Sequence, residues 1–129
     1  MALNVLIVDD SAVMRAVILK TMRMSGLPLG EIYQAADGQQ GLEALNANWI
    51  DLVMLDINMP VMNGEQMIEH MLADPDLRTT PVVVVSTEGS KKRIERLQSR
   101  GARFIHKPFS PEIMRDTIKK ILGLGAHDE

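Results

Sequence analysis

An α/β fold with a parallel, doubly wound sheet is predicted by three features of the chain. Short apolar runs at 3–8 and 82–85 are too continuous for surface helices and read as strands buried on both faces. Between such runs, apolar residues recur at helical spacing along one face. The two patterns alternate through the whole length, giving five strands and five helices. Right-handed crossovers then place helices on both sides of the sheet.

The first strand, 3–8, stops at Asp9-Asp10. A helix over 11–24 follows, with Val13, Val17, Ile18, Thr21 and Met22 predicted as its inner face, and Gly26 and Pro28 end it. Residues 31–35 read as a short strand and Asp37-Gly38 as a turn. A helix over 41–47 carries Leu42 and Leu45 inward. The central strand, 51–55, ends in Asp56. Asn63-Gly64 opens a third helix with Met67, Ile68, Met71 and Leu72 inward, closed before Pro75. After Pro81 the β-branched strand 82–85 stops at Ser86-Thr87. The helix 91–100 is short and charged, and Gly101 suits a left-handed cap. Strand 103–106 precedes Lys107-Pro108. Ser110-Pro111-Glu112 starts the last helix with a capping hydroxyl, a proline and an acid, and Ile113, Ile118, Ile121 and Leu122 supply its apolar face. Most of the ten methionines, among them Met14, Met67 and Met114, fall at core spacing and read as packing.

At 129 residues the chain is expected to form one domain over 1–123, with a short polar tail at 124–129 and no output domain. Fourteen Lys and Arg against seventeen Asp and Glu give bulk charge no role in nucleic-acid binding. With no cysteine, no leader-like segment and no apolar run near the roughly 20 residues that span a bilayer, a cytoplasmic protein without membrane insertion is expected.

Ligands of open α/β sheets sit beyond the carboxyl ends of the strands, where the strand order reverses. Asp9, Asp10 and Asp56 all lie at such ends, so adjacent first and third strands make them converge. Two unit charges about 4 Å apart repel by roughly 4 kcal/mol at an effective dielectric of 20, so such a cluster calls for protons or a cation. Oxygen donors without Cys or His favour Mg²⁺ or Mn²⁺ over zinc. A cation held by a few protein oxygens keeps positions open for phosphate, which makes Asp56 a candidate nucleophile toward a phosphoryl group. Lys107 and the Ser86 hydroxyl are placed to meet phosphoryl oxygens, with backbone N–H groups around Asn58 and Thr87 as further donors. Alone, Asp-Asp before a helix is more often a cap, Ser-Thr after a strand a turn, and Lys-Pro-Phe a loop. Their conjunction, in order and at one end of one sheet, favours the site.

These residues resemble the receiver domain of bacterial response regulators, and most closely the stand-alone chemotaxis regulators of the CheY type. The carrying motifs are Asp9-Asp10, Asp56-x-x-Met59-Pro60-x-Met62-x-Gly64, Ser86 and Lys107-Pro108-Phe109. The resemblance implies a flavodoxin-like sheet in the order 2-1-3-4-5, a strand order for which this family is itself a standard example. It further implies phosphorylation of Asp56 by a sensor histidine kinase or phosphotransfer domain. Mg²⁺ would be held by Asp10, Asp56 and the Asn58 backbone carbonyl, with Asp9 reached through water. Lys107 is implied as a phosphoryl contact, Ser86 as the switch hydroxyl and Phe104 as the switch aromatic. The Lys107-Pro108 peptide is implied to be cis. Asn58 and Glu88 stand where hydrolysis of the phosphoaspartate is tuned, in a combination resembling rapidly self-dephosphorylating chemotaxis regulators. The signal is expected to leave through the surface of the fourth helix, fifth strand and fifth helix. Lys91, Lys92, Arg93, Arg96 and Arg100 border that surface as a basic helix suited to an acidic or amphipathic partner segment.

Chemotaxis is the first reading, and a stand-alone regulator or phosphorelay intermediate outside chemotaxis shares its chemistry. An aspartyl phosphatase of the haloacid dehalogenase type places a second acid two residues past its nucleophile, where this chain has Asn58. A flavin carrier needs hydroxyl- and glycine-rich phosphate loops, and Asp9-Asp10 puts negative charge there. A pseudo-receiver that only binds partners is disfavoured by the complete acid and lysine set.

Overall fold

A computed structural model describes residues 2–87 and 89–123. Glu88 and the predicted tail at 124–129 lie outside the described residues. Five strands, β1 (Leu3–Val8), β2 (Leu29–Ala35), β3 (Leu52–Leu55), β4 (Val82–Ser86) and β5 (Arg103–His106), alternate with five helices. These are α1 (Ala12–Met24), α2 (Gly38–Ala47), α3 (Gly64–Ala73), α4 (Lys91–Ser99) and α5 (Pro111–Leu122). The strands form one parallel sheet in the order β2-β1-β3-β4-β5.

Side chains alternate across each strand, so the central strands divide their apolar residues between two cores. Leu6, Val8, Val53, Leu55 and Val84 face one way and pack with Leu45 of α2, Met67, Ile68 and Met71 of α3, and Leu97 of α4. Val5, Ile7, Leu52, Met54, Val83, Val85 and Ile105 face the other way, onto Ile18 and Met22 of α1 and Met114 and Ile118 of α5. Burial on both faces accounts for the absence of polar alternation in β1, β3 and β4.

Two helix faces differ from the sequence expectation by one residue. In α1, Met14, Ile18 and Met22 form the inner i, i+4, i+8 row. The adjacent row, with Val13 at 75% and Val17 at 43% exposure, turns to solvent, while Leu19 on the other side of the inner row packs partly against the core. In α5 the inner row starts at Met114, which leaves Ile113 exposed. Leu72 of α3 also sits at the rim.

Element ends move for local reasons. Strand β2 starts at Leu29, earlier than expected, because Leu3 opposite it begins the ladder. Asp37-Gly38 is a helix start, not a free turn: the Asp37 side chain accepts from the Gln40 N–H and caps α2. Strand β4 runs on through Ser86, while β3 begins only at Leu52. The Asp51 carboxylate is turned aside to accept from the Asn4 N–H. Gly101, just past α4, has φ of 92°, the left-handed conformation expected of it. No helix among the described residues is long and apolar enough to cross a membrane.

Candidate functional site

Register brings the acids together. Val8 pairs with Leu55, and the ladder continues past both strand ends through the Asp56 N–H to the Val8 carbonyl (2.9 Å) and the Asp9 N–H to the Ala35 carbonyl (3.1 Å). Asp9, Asp10 and Asp56 consequently each offer a carboxylate oxygen within 4.8 Å of the others. Ser86 ends the neighbouring strand, and the Lys107 N–H bonds its carbonyl at 3.0 Å, which carries the basic residue to the same edge.

Asp9 is 2% exposed. Its Oδ1 accepts from the Ser11 N–H at 2.9 Å. Its Oδ2 is buried without a hydrogen-bond partner among the described residues, and Lys107 Nζ lies 3.8 Å from it, an ion pair beyond hydrogen-bond range. Burial is the main cause that raises the Asp9 carboxyl above its ordinary pKa, against the Ser11 N–H and Lys107, which lower it. Asp56 is raised in the same sense, first by burial and then by the charge of Asp9. Asp10 is exposed. A buried carboxylate oxygen lacking a donor, within a cluster of like charges, is the environment a divalent cation relieves, and the donors are all oxygen. The residues present therefore fit Mg²⁺ or Mn²⁺.

Glycine shapes the loop from β3 to α3. The Gly64 N–H donates to the Ile57 carbonyl at 2.8 Å. A Cβ on Gly64 would overlap the Asp56 carbonyl oxygen and come to 2.9 Å from Ile57 Cα, so the loop closes this tightly on Asp56 only with glycine there. Between them, the Met62 N–H bonds the Pro60 carbonyl at 2.7 Å around Val61, whose φ is 66°. That is the strained form of the γ-turn, on an exposed β-branched residue. Asn63 and Gln66 then close a capping box at the start of α3.

The other predicted site residues take distinct places. Ser86 is 1% exposed, whereas Thr87 beside it faces solvent. Phe104 is partly buried against the core beneath α2, α3 and α4, with its ring 4.6 Å from that of His106. The Lys107-Pro108 peptide is cis. Glu88 lies outside the described residues. Asn58 is exposed in the β3–α3 loop, and its Oδ1 accepts from Arg93 Nη1 at 3.3 Å.

The basic face of α4 is not free in the way the sequence suggested. Glu65 of α3 accepts from Arg93 Nε at 2.7 Å and Arg96 Nε at 2.9 Å, with Arg100 Nη1 at 3.8 Å, while Arg100 Nη2 lies 2.7 Å from Glu69. The hydrogen bond from Arg96 is the leading cause that holds the Glu65 carboxyl below its ordinary pKa. Lys91 and Lys92 are exposed and make no ion pair with any other described residue. Sequence reading also missed Arg15, which donates from Nη1 to the Asp9 carbonyl (2.7 Å) and from Nε to Gln34 (2.9 Å). The helical spacings of Glu65 and Glu69, and of Arg93, Arg96 and Arg100, make complementary stripes, a signal visible in sequence only to a reader who already knows that α3 and α4 adjoin.

A doubly wound α/β domain with a cluster of three aspartates at the carboxyl ends of β1 and β3 is the class that fold and site define. The chain belongs to the response regulator receiver domain family, which it matches over residues 5–119. It is 32% identical over 123 residues to a chemotaxis protein CheY1 of Helicobacter pylori, a match covering 94% of this chain and 98% of that one. The structure of Vibrio cholerae CheY4 superposes with a TM-score of 0.81 at 30% identity, covering 94% of this chain and 99% of that one. A CheX-CheY-BeF3-Mg complex from Borrelia burgdorferi matches with a TM-score of 0.81 at 28% identity, over 93% of this chain and 89% of the matched one. Two-component signalling relatives of CheY type are thus what this chain resembles throughout, and it shares their five-stranded fold.

Proposed function

We propose that this receiver takes a phosphoryl group from a sensor histidine kinase or phosphotransfer domain onto Asp56, releases it by hydrolysis, and signals to a protein partner, with chemotaxis as the pathway. The observation that carries the reading is the cluster of Asp9, Asp10 and Asp56, in which Asp9 Oδ2 has no hydrogen bond among the described residues and faces Lys107. Asp10, Asp56 and the Asn58 backbone carbonyl would hold Mg²⁺, with Asp9 behind them. The cation supplies charge neutralisation for the incoming phosphoryl oxygens. Lys107 provides a point charge to one phosphoryl oxygen, and the Ser86 hydroxyl, with the backbone near Thr87, receives another. Asn58 and Glu88 set the lifetime of the phosphoaspartate.

Phosphorylation adds negative charge and acceptor oxygens beside Ser86. Drawing that hydroxyl inward frees space for Phe104, which packs partly buried against the core and pairs with Val84, two residues before Ser86 on the adjoining strand. The α4-β5-α5 face changes shape in consequence, and it is the docking face for the partner. The Borrelia burgdorferi CheX-CheY-BeF3-Mg complex supports both the cation and a protein partner for this chain. The reading is of a self-acting phosphoswitch in the cytoplasm and not of a turnover enzyme on other substrates.

The test is intact mass after incubation with acetyl phosphate and Mg²⁺, followed in time, with Asp56→Asn alongside. One phosphoryl adduct that requires Mg²⁺, is absent from the variant and decays on standing is the expected result. An adduct of equal size on Asp56→Asn would refute the assignment.

A further inference from the structure

Beyond its ion pair with Glu65, Arg93 joins the loop after Asp56 to helix α4. Its Nε is 2.7 Å from Glu65 Oε1, and Glu65 is itself held by Arg96, so the guanidinium is fixed at one edge by a carboxylate with two cationic partners. From that anchored position Nη1 donates to Asn58 Oδ1 at 3.3 Å. A guanidinium only donates, so it decides which way the Asn58 amide faces: the oxygen turns to Arg93 and the two N–H donors turn away. Asn58 Nδ2 meets no hydrogen-bond partner among the described residues. A side chain in a loop, two residues past the acceptor acid, thus has its orientation set by a helix and both its donors unused.

We propose that Arg93 is a positioning residue for dephosphorylation, holding the Asn58 amide so that its N–H donors meet the water that attacks phosphoaspartate. The inference rests on Asp56 being the phosphoacceptor. In the step concerned, the water oxygen bonds to phosphorus and the bond from phosphorus to the Asp56 carboxylate oxygen breaks. Its electron pair stays on the carboxylate, and both water protons leave with the phosphate as dihydrogen phosphate. The Nδ2–H group donates to the water oxygen and fixes its line of approach. Because Glu65 grips Arg93 from α3 and Arg93 belongs to α4, a partner that displaces α4 also changes this orientation. The lifetime of the signal is in this way tied to the face that reads it.

The experiment follows decay of the adduct by acid-quenched intact mass, after removal of acetyl phosphate, in the unsubstituted chain, Arg93→Ala, Asn58→Ala and the double variant. Arg93→Ala slows decay by about five-fold, the scale of one neutral hydrogen bond. Asn58→Ala slows it similarly, and the double variant is no slower than Asn58→Ala alone. A merely structural arginine would instead multiply its effect onto that of Asn58→Ala. The thermal midpoint and the Mg²⁺ affinity of Arg93→Ala, the latter measured by calorimetric titration, stay close to those of the unsubstituted chain and exclude a general loosening. Unchanged decay in Arg93→Ala, or effects that multiply, would overturn the proposal. If the unsubstituted chain forms no adduct at all, the phosphoacceptor reading fails and takes this one with it. An adduct whose lifetime ignores Arg93 refutes this one alone.

Discussion

Two clusters of charge lie close together in this molecule and are built on opposite principles. At the ends of β1 and β3, three carboxylates crowd together, one buried oxygen lacks a hydrogen bond, and the nearest ammonium stands off at 3.8 Å. Between α3 and α4, Arg93 and Arg96 hydrogen-bond Glu65 and Arg100 Nη2 ion-pairs with Glu69, so each acid meets at least one cation, and the orphan among the described residues is a donor, Arg100 Nη1. Burial raises the pKa of Asp9 and Asp56, whereas hydrogen bonding to Arg96 lowers that of Glu65. The matched cluster holds two helices together. The unmatched one is left with repulsion that a proton or a cation would relieve, which is why function is to be sought there.

The largest expected effect comes from distorting the unmatched cluster while leaving the matched one intact. Gly64→Ala drives a methyl into the Asp56 carbonyl and the Ile57 backbone, and should cost about 3 kcal/mol of stability together with most adduct formation. Chemical denaturation and the acetyl phosphate assay report the two losses. A variant of native stability would show that the loop can yield.

A smaller effect with a definite sign comes from Asp9→Asn. The folded Asp9 has a pKa above its unfolded value, so ionising it near neutral pH works against the fold. Without divalent cations at pH 7 the variant should be more stable than the parent on the order of 1–2 kcal/mol, the scale of relieving one like-charge contact in a partly solvated site. The advantage should shrink as pH falls through the raised pKa, because the parent then takes up its proton. Saturating Mg²⁺ should reverse the order by stabilising the parent more. Thermal melts across pH, with and without Mg²⁺, decide this, and a parent that is already the more stable at pH 7 without metal would break the contrast between the clusters.

The smallest effect is expected from Glu65→Gln. Exposed ion pairs contribute little, and this group is only partly shielded, so at most about 1 kcal/mol should be lost, and less in high salt. A loss larger than that of Gly64→Ala would mean that the clamp, and not the β3–α3 loop, carries the stability of this end of the molecule.

The strand-helix alternation, the acids at strand ends, the start of α3 at Asn63-Gly64 and the cap at Ser110 are legible because they depend on local chemistry: runs of apolar residues, short polar side chains before a helix, and turn-forming dipeptides. Asp37 was misjudged as part of a turn because the same Asp-Gly pair serves both ends. The inner face of α1 was off by one row, since adjacent i+4 rows in that helix are both apolar and only the sheet selects between them.

The sequence by itself determined which residues could be strands, which could be helices, and which polar side chains would be left at the strand ends. Tertiary structure alone decided that β1 lies beside β3, so that Asp9 and Asp56 share one cluster of charge, and that Glu65 of α3 meets Arg93 of α4. The physical reason is that local propensity acts between neighbours in the chain, whereas charge repulsion and ion pairing act through space. Residues 47 positions apart at one cluster and 28 at the other become neighbours only when the sheet has formed.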